Sequence, residues 1–220
     1  MQKIKEKLSA YIILSLIISF SAVRAQNLTV GSAGKALQIM KSTNYTGSAY
    51  LNERFSQSDV ITVKGRKINL PALRYNVQKQ EVELLDRNDV FTIEDSLKQF
   101  SNLDTLGKTH IFVRIPGIKE TVFAETLVEG NISLLKQYSA KLVSTEDWYT
   151  KKQSKVMTPF SIYYAGTSRN MEKLNLSSKS LLVLFSDKQD QIKTFLKEQE
   201  PDLKSDTGLI SVFTYYNSAK

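Results

Sequence analysis

The chain has 220 residues, of which 41% are hydrophobic and 24% charged, with a formal net charge of +8, nine Gly, four Pro and no Cys. This composition excludes collagen-like, disordered and disulfide-stapled chains. The length suits one sizeable core or two small ones.

Residues 1–25 read as a secretory leader. Lys3, Lys5 and Lys7 form a basic start, Tyr11 to Phe20 is almost wholly apolar, and Val23-Arg24-Ala25 fits a signal-peptidase site, with cleavage expected before Gln26. The apolar run is about half of the ~20 residues that span a bilayer. The absence of cysteine excludes a lipid anchor attached through that residue and any disulfide. The leader holds Lys3, Lys5, Lys7, Arg24 and Glu6, so its removal lowers the net charge by three, to +5. Such a mild, scattered surplus reads as a solvated surface. Together with export, it argues against a nucleic-acid partner.

Residues 26–46 form an arm, with Leu37, Met40 and Lys41 compatible with a short helix. From 47 to 176 short apolar runs alternate with turn signals, the pattern of a β-rich domain. Strands are expected at Asp59–Val63 and Lys67–Leu70 around Lys64-Gly65-Arg66, then at Leu73–Val77, Glu81–Leu85 and Val90–Ile93. The alternation over His110–Ile115 puts Ile111, Val113 and Ile115 on one face and His110, Phe112 and Arg114 on the other. Thr121–Val128 and Ile132–Leu142 flank Gly130-Asn131, a pair suited to a type II′ hairpin turn. A lysine-rich loop over 144–159 precedes a last hairpin, Phe160–Ala165 with Met171–Leu176.

Beyond Leu176 the period becomes helical. Ser177 or Ser178, Asp187 and Ser205 stand as caps before three segments with apolar stripes, and Pro201 follows the second. The expected fold is therefore α+β: an antiparallel β-meander, sandwich or open barrel over 47–176, followed by a three-helix segment over 177–220.

Catalytic signatures are sparse. His110 is the only histidine, so no Cys/His metal cluster can form, and there is no Gly-x-Ser-x-Gly elbow, nucleotide-binding glycine loop or calcium loop. His110 reads as a structural or surface residue. Glu81 and Glu83 share a strand face, as expected of a half-solvated strand, and no cofactor or metal is implied. Trp148-Tyr149 and Tyr163-Tyr164 are adjacent aromatic pairs that can each place one ring outward, as can Tyr215-Tyr216. Arg74, Tyr75, Asn76, Glu81 and Glu83 make up a candidate structural or ligand patch, in which Arg74 is expected to meet Glu81 or Glu83 across neighbouring strands.

Several short motifs stand out: Gly47-Ser-Ala-Tyr-Leu-Asn-Glu-Arg-Phe55, Leu73-Arg74-Tyr75-Asn76, Gln80-Glu81-Val82-Glu83, Leu127-Val128-Glu129-Gly130 with Leu134-Leu135-Lys136, and Tyr215-Tyr216-Asn217. In these the chain resembles a group of uncharacterised exported proteins of Bacteroidota-type bacteria. The resemblance implies an envelope or secreted setting and no activity. The leading expectation is an exported, non-enzymatic envelope protein, soluble after leader cleavage or peripheral to a membrane, that meets a protein partner or surface in the periplasm or outside the cell. A small-ligand or glycan-binding β module is the alternative, and a carboxylate-dependent hydrolase a third reading.

Overall fold

The computed structural model describes residues 45–93, 96–104, 106–118 and 122–219. The leader, nearly all of the 26–46 arm and the cleavage site lie outside the described residues.

Eleven strands form one mixed, open sheet: β1 (Tyr45–Thr46), β2 (Ser56–Thr62), β3 (Lys67–Asn76), β4 (Glu81–Asp86), β5 (Asp89–Ile93), β6 (Leu97–Leu103), β7 (Thr109–Arg114), β8 (Phe123–Val128), β9 (Ser133–Glu146), β10 (Gln153–Gly166) and β11 (Met171–Lys173). Their spatial order is β1-β10-β9-β8-β7-β6-β2-β3-β4-β5, with β11 also paired to β10. Only β1 runs parallel to its neighbour. Three helices follow: α1 (Ser178–Leu184), α2 (Gln189–Gln199) and α3 (Asp206–Ser218). Among the described residues no helix is long and apolar enough to cross a membrane.

The sheet bends sharply. Tyr75 on β3 and Phe123 on β8 are separated by three intervening strands, a span of roughly 19 Å on a flat sheet at ~4.8 Å per strand. Their ring centroids nevertheless lie 6.4 Å apart. The fold of the sheet onto itself encloses Val60, Leu73, Tyr75, Phe100, Phe112 and Phe123 in one aromatic-rich core. A second core joins Leu134, Tyr163 and Ala165 at the far end of β9–β10 to Leu181, Phe185, Ile192 and Phe213 of the helices.

Several elements differ from the sequence reading. Leu73–Val77 is not a separate strand, because β3 runs unbroken through Pro71. Pro71 is tolerated there because the β2–β3 register slips between Ser56 and Ser58, and β4 pairs only from Leu73 onward. The expected loop over 144–159 shrinks to six residues, since β9 and β10 pair continuously from Ser133–Gly166 to Glu146–Gln153. Gly130 lacks the positive φ of a type II′ turn. It is required for space instead: a Cβ there would lie 2.4 Å from Asn217 Cγ. The Asn217 amide bonds Ile132 N and O, at 3.2 and 2.9 Å, and so ties α3 to the β8–β9 turn.

Ser177 and Ser205 cap α1 and α3 through bonds to Ser180 N and Gly208 N. Asp187 caps nothing. It sits in a 3-10 turn before α2 and accepts the Tyr216 hydroxyl at 3.1 Å.

Candidate functional site

The proposed patch around Arg74 divides into separate parts, because neighbouring residues of a strand face opposite sides. Arg74 and Glu83 pair across β3–β4 in direct register, with Arg74 Nε 2.7 Å from Glu83 Oε2. The guanidinium is sandwiched 3.9 Å from the Tyr50 ring centroid and 4.3 Å from that of Phe55, and it donates to Tyr50 Oη at 3.0 Å. Burial, followed by the charge of Glu83, raises the Tyr50 pKa. Glu83 is only 1% exposed, so the solvent-face reading of this residue is wrong: Tyr50, Phe55 and Arg74 cover what a strand period marks as the wet side. Glu81 stays outside and lies 3.9 Å from Lys79 Nζ. Tyr75 is core, its hydroxyl donating to Gln80 Oε1 at 2.7 Å. Asn76 is buried and accepts from Gln78 N and Lys79 N, which shapes the β3–β4 turn. These five residues therefore build one shielded ion pair, one core ring and one turn rather than a single binding patch.

A polar cluster that no local motif announces lies on the inner face of β6–β9. His110 sits opposite Asn102, and Phe112 opposite Glu125, through the β6–β7 and β7–β8 registers. His110 Nδ1 is 2.5 Å from Glu125 Oε1, and its Nε2 is 3.1 Å from Asp104 Oδ2. A carboxylate at each nitrogen favours the doubly protonated ring, in which both nitrogens donate. Burial of the ring opposes this, but the bonds to Glu125 and Asp104 prevail and raise the His110 pKa. Asp104 is lowered in turn, first by its bond to His110 and then by the Lys108 amide. Tyr138 donates to Glu125 Oε2 at 2.6 Å, and burial followed by that bond pushes the phenol pKa well up.

All four oxygens of this carboxylate pair are engaged. Glu125 meets His110 and Tyr138; Asp104 meets His110 and, through Oδ1, the amides of Leu106 and Lys108. A hydrolytic acid needs a carboxyl whose proton affinity is raised and a second that is free to act on water or substrate. This pair instead fixes a cation. Because His110 stands between the two acids, they do not converge on one point, and among the described residues no cluster is placed to hold a metal ion.

The cluster forms one wall of a half-open cleft of about 580 Å³. The facing wall is the Tyr50–Arg54 segment ahead of β2.

The other sequence-predicted aromatics separate by position. Tyr163 is 8% exposed and faces the helical core, its hydroxyl 2.6 Å from Asp206 Oδ1, so it is not an exposed aromatic. The cause is that α3 packs across this end of β9–β10, covering the inner face of both strands. Tyr164 lies half-buried on the opposite face, donating to Gln137 Oε1. Trp148 and Tyr149 do face solvent, at 82% and 80% exposure. They crown the β9–β10 hairpin, which has no buried residue from Lys141 to Lys155 and so projects from the body. Its tip is well bonded: Asp147 Oδ1 accepts from Tyr149 N, Thr150 N and Thr150 Oγ1, and Asp147 N donates to Lys152 O. The two rings meet edge-on with centroids 5.7 Å apart.

No family model, curated protein or solved structure matches the chain.

Proposed function

We propose that the protein is an exported, non-enzymatic binding component of the bacterial envelope that grips a protein partner with the tip of the β9–β10 hairpin. The observation that carries this reading is the pair of almost fully exposed rings, Trp148 and Tyr149, held on a turn that its own hydrogen bonds make rigid. Tyr and Trp dominate interface energetics because they bring large contact area with few rotatable bonds. A turn already in its bound shape avoids part of the ordering cost of association. Along the end of the hairpin, Lys151, Lys152 and Lys155 outnumber Glu146 and Asp147, which suits an acidic partner surface. The saturated Asp104–His110–Glu125 cluster supports the non-enzymatic part of the reading. The basic-apolar-small pattern of residues 1–25 supports export.

The test places a photo-crosslinking phenylalanine analogue at position 149, and as a control at position 183, where Val183 is also exposed but on α1. Irradiated in the native envelope, the first should give one discrete protein adduct that the second does not. Adducts of equal yield and pattern from both positions, or none from 149, would overturn the hairpin as the contact. Recovered protein should begin at Gln26, and a retained Met1 in the mature form would overturn export.

A further inference from the structure

We propose that the outer edge of β5 pairs antiparallel with β5 of a second copy of this chain, joining the two sheets across a two-fold axis between the two Phe91 residues. This edge is distinct from the hairpin tip, and neither assignment depends on the other.

The first observation is an open hydrogen-bonding frame. β5 ends the strand order, and among the described residues only β4 pairs with it. The β4–β5 ladder closes on Asp86 and Asp89 around the two residues Arg87 and Asn88, so Asp86 and Asp89 form a hydrogen-bonded pair. The alternation of an antiparallel ladder then turns the N–H and C=O of Asp89, Phe91 and Ile93 to β4, and those of Val90 and Thr92 outward. Among the described residues neither Val90 nor Thr92 has a further backbone partner. A row of such groups at a sheet edge is a template for another strand.

The second observation is that the opposite edge is guarded and this one is not. There β10 is covered by β1 over Lys155–Val156 and by β11 over Tyr164–Gly166. The stretch between them holds Pro159, whose backbone nitrogen faces the uncovered edge in the β9–β10 register and carries no N–H to offer. β5 has no such device. It reads Asp-Val-Phe-Thr-Ile, without Lys, Pro or Gly, and its register with β4 has no bulge.

A second copy fits the frame residue for residue. With the axis between the Phe91 residues, Val90 of each copy stands opposite Thr92 of the other, and each such pair exchanges both of its N–H···O=C bonds. Phe91 meets Phe91 in the closer, non-hydrogen-bonded pair, where aromatic cross-strand contacts are favourable. Moving the axis to Val90 or Thr92 would leave outward groups unmatched. Charge selects the direction: the antiparallel register sets Asp89 opposite Ile93, whereas parallel pairing in register would set Asp89 against Asp89. One short ladder buries less than a standard interface, so the dimer should be weak and form as concentration rises.

The experiment uses the chain from Gln26 onward, which has no cysteine. Sedimentation velocity over a concentration series should show a monomer–dimer equilibrium. T92P deletes an outward N–H without touching the β4 ladder, and should weaken the dimer about tenfold or more. F91C carries the only thiol in the chain, so any disulfide it forms joins two copies. In a non-hydrogen-bonded pair the Cα atoms lie ~4.5 Å apart, within disulfide reach. Under mild oxidation F91C should therefore give far more disulfide dimer than V183C, whose site on α1 is equally open to solvent but away from β5 in the chain. Should T92P not fold, the comparison of F91C with V183C decides alone. A monomer at every concentration, which would leave the edge to a foreign strand, a dimer undiminished by T92P, or equal disulfide yields from F91C and V183C would each overturn the assignment.

Discussion

Arg74→Met tests the account of the shielded ion pair. The substitution keeps an unbranched stem between Tyr50 and Phe55 but removes the charge that faces Glu83 at 2.7 Å. Glu83 is 1% exposed, so water cannot take over. Its remaining partner is the Tyr50 hydroxyl, at 3.5 Å. Orphaning a buried charge in this way costs about 3–5 kcal/mol. For a chain of this size each kcal/mol lowers Tm by about 2–4 °C, so R74M should lose roughly 6–20 °C. The reverse change, E83L, leaves an arginine that is 17% exposed and can turn to solvent, so its cost should be smaller. The double variant R74M/E83L replaces the pair with apolar bulk and should lie within about 2 kcal/mol of wild type, because apolar replacement of a buried pair is often near neutral. Urea unfolding followed by far-UV circular dichroism measures all three. Fluorescence is a poor reporter here, as the single tryptophan, Trp148, is solvent-exposed in the folded state. An R74M cost under about 1 kcal/mol, or a double variant as unstable as R74M, would refute the reasoning.

His110 gives the protein a signed pH dependence. Its folded pKa is raised, so the stability it contributes is complete below the unfolded value of about 6.5 and is lost as pH rises through the folded value. The Tm gap between wild type and H110Q should therefore narrow from pH 6 to 9, and a constant gap would contradict the imidazolium bridge. Gly208→Ala sets two effects against each other. Alanine favours a helix by about 1 kcal/mol, but its Cβ would lie 2.1 Å from the Asp202 carbonyl oxygen, a backbone atom with little freedom to yield. The clash should prevail, with a net loss of about 1–3 kcal/mol, and a rise in Tm would show that the 202–205 turn moves freely. W148A should change stability by no more than ~0.5 kcal/mol while abolishing the adduct crosslinked from position 149, and a marked loss of stability would show that the Trp148 ring has an internal packing role.

The elements that could be read from the sequence are those whose signals are local. Ser177 and Ser205 stand before apolar stripes and do cap helices, and the β7 alternation groups His110 with Phe112, both of which line the cleft. The missed strand, β6, breaks the period: Phe100, Ser101 and Asn102 are buried in succession. Ser101 can be buried because its hydroxyl accepts from Asp59 N at 2.8 Å, a partner 42 residues away. The outer arms of β9 and β10 gave no alternation because they leave the body and face water on both sides. Within the candidate sites, Trp148 and Tyr149 could be recognised as exposed aromatics. The cleft could not, because His110 draws its partners from Asp104 and Glu125, and the opposite wall comes from Tyr50–Arg54. The sharp fold of the sheet brings these segments together, and no short spacing encodes it.

A second ion pair of nearly the same length shows why distance alone does not set the cost. Lys136 Nζ lies 2.6 Å from Asp206 Oδ2, as close as Arg74 lies to Glu83. Lys136 stands on β9 between the sheet core and the helical core, over the rings of Tyr138 and Tyr163, and so links the inner face of the sheet to the first turn of α3. Lys136→Met is chemically the same operation as R74M, but the orphaned carboxylate differs. The Asp206 side chain is 37% exposed, keeps its bond from the Tyr163 hydroxyl, and sits at a helix N-terminus, where the backbone favours negative charge by about 0.3–1 kcal/mol. Water, phenol and helix can together replace what the ammonium supplied. K136M should then cost about 1 kcal/mol or less, the range of solvent-accessible pairs, against the 3–5 kcal/mol expected of R74M. The comparison needs only the two single variants unfolded side by side. If they lose equal stability, exposure of the abandoned carboxylate does not govern the cost in this fold, and the explanation given for Glu83 fails with it.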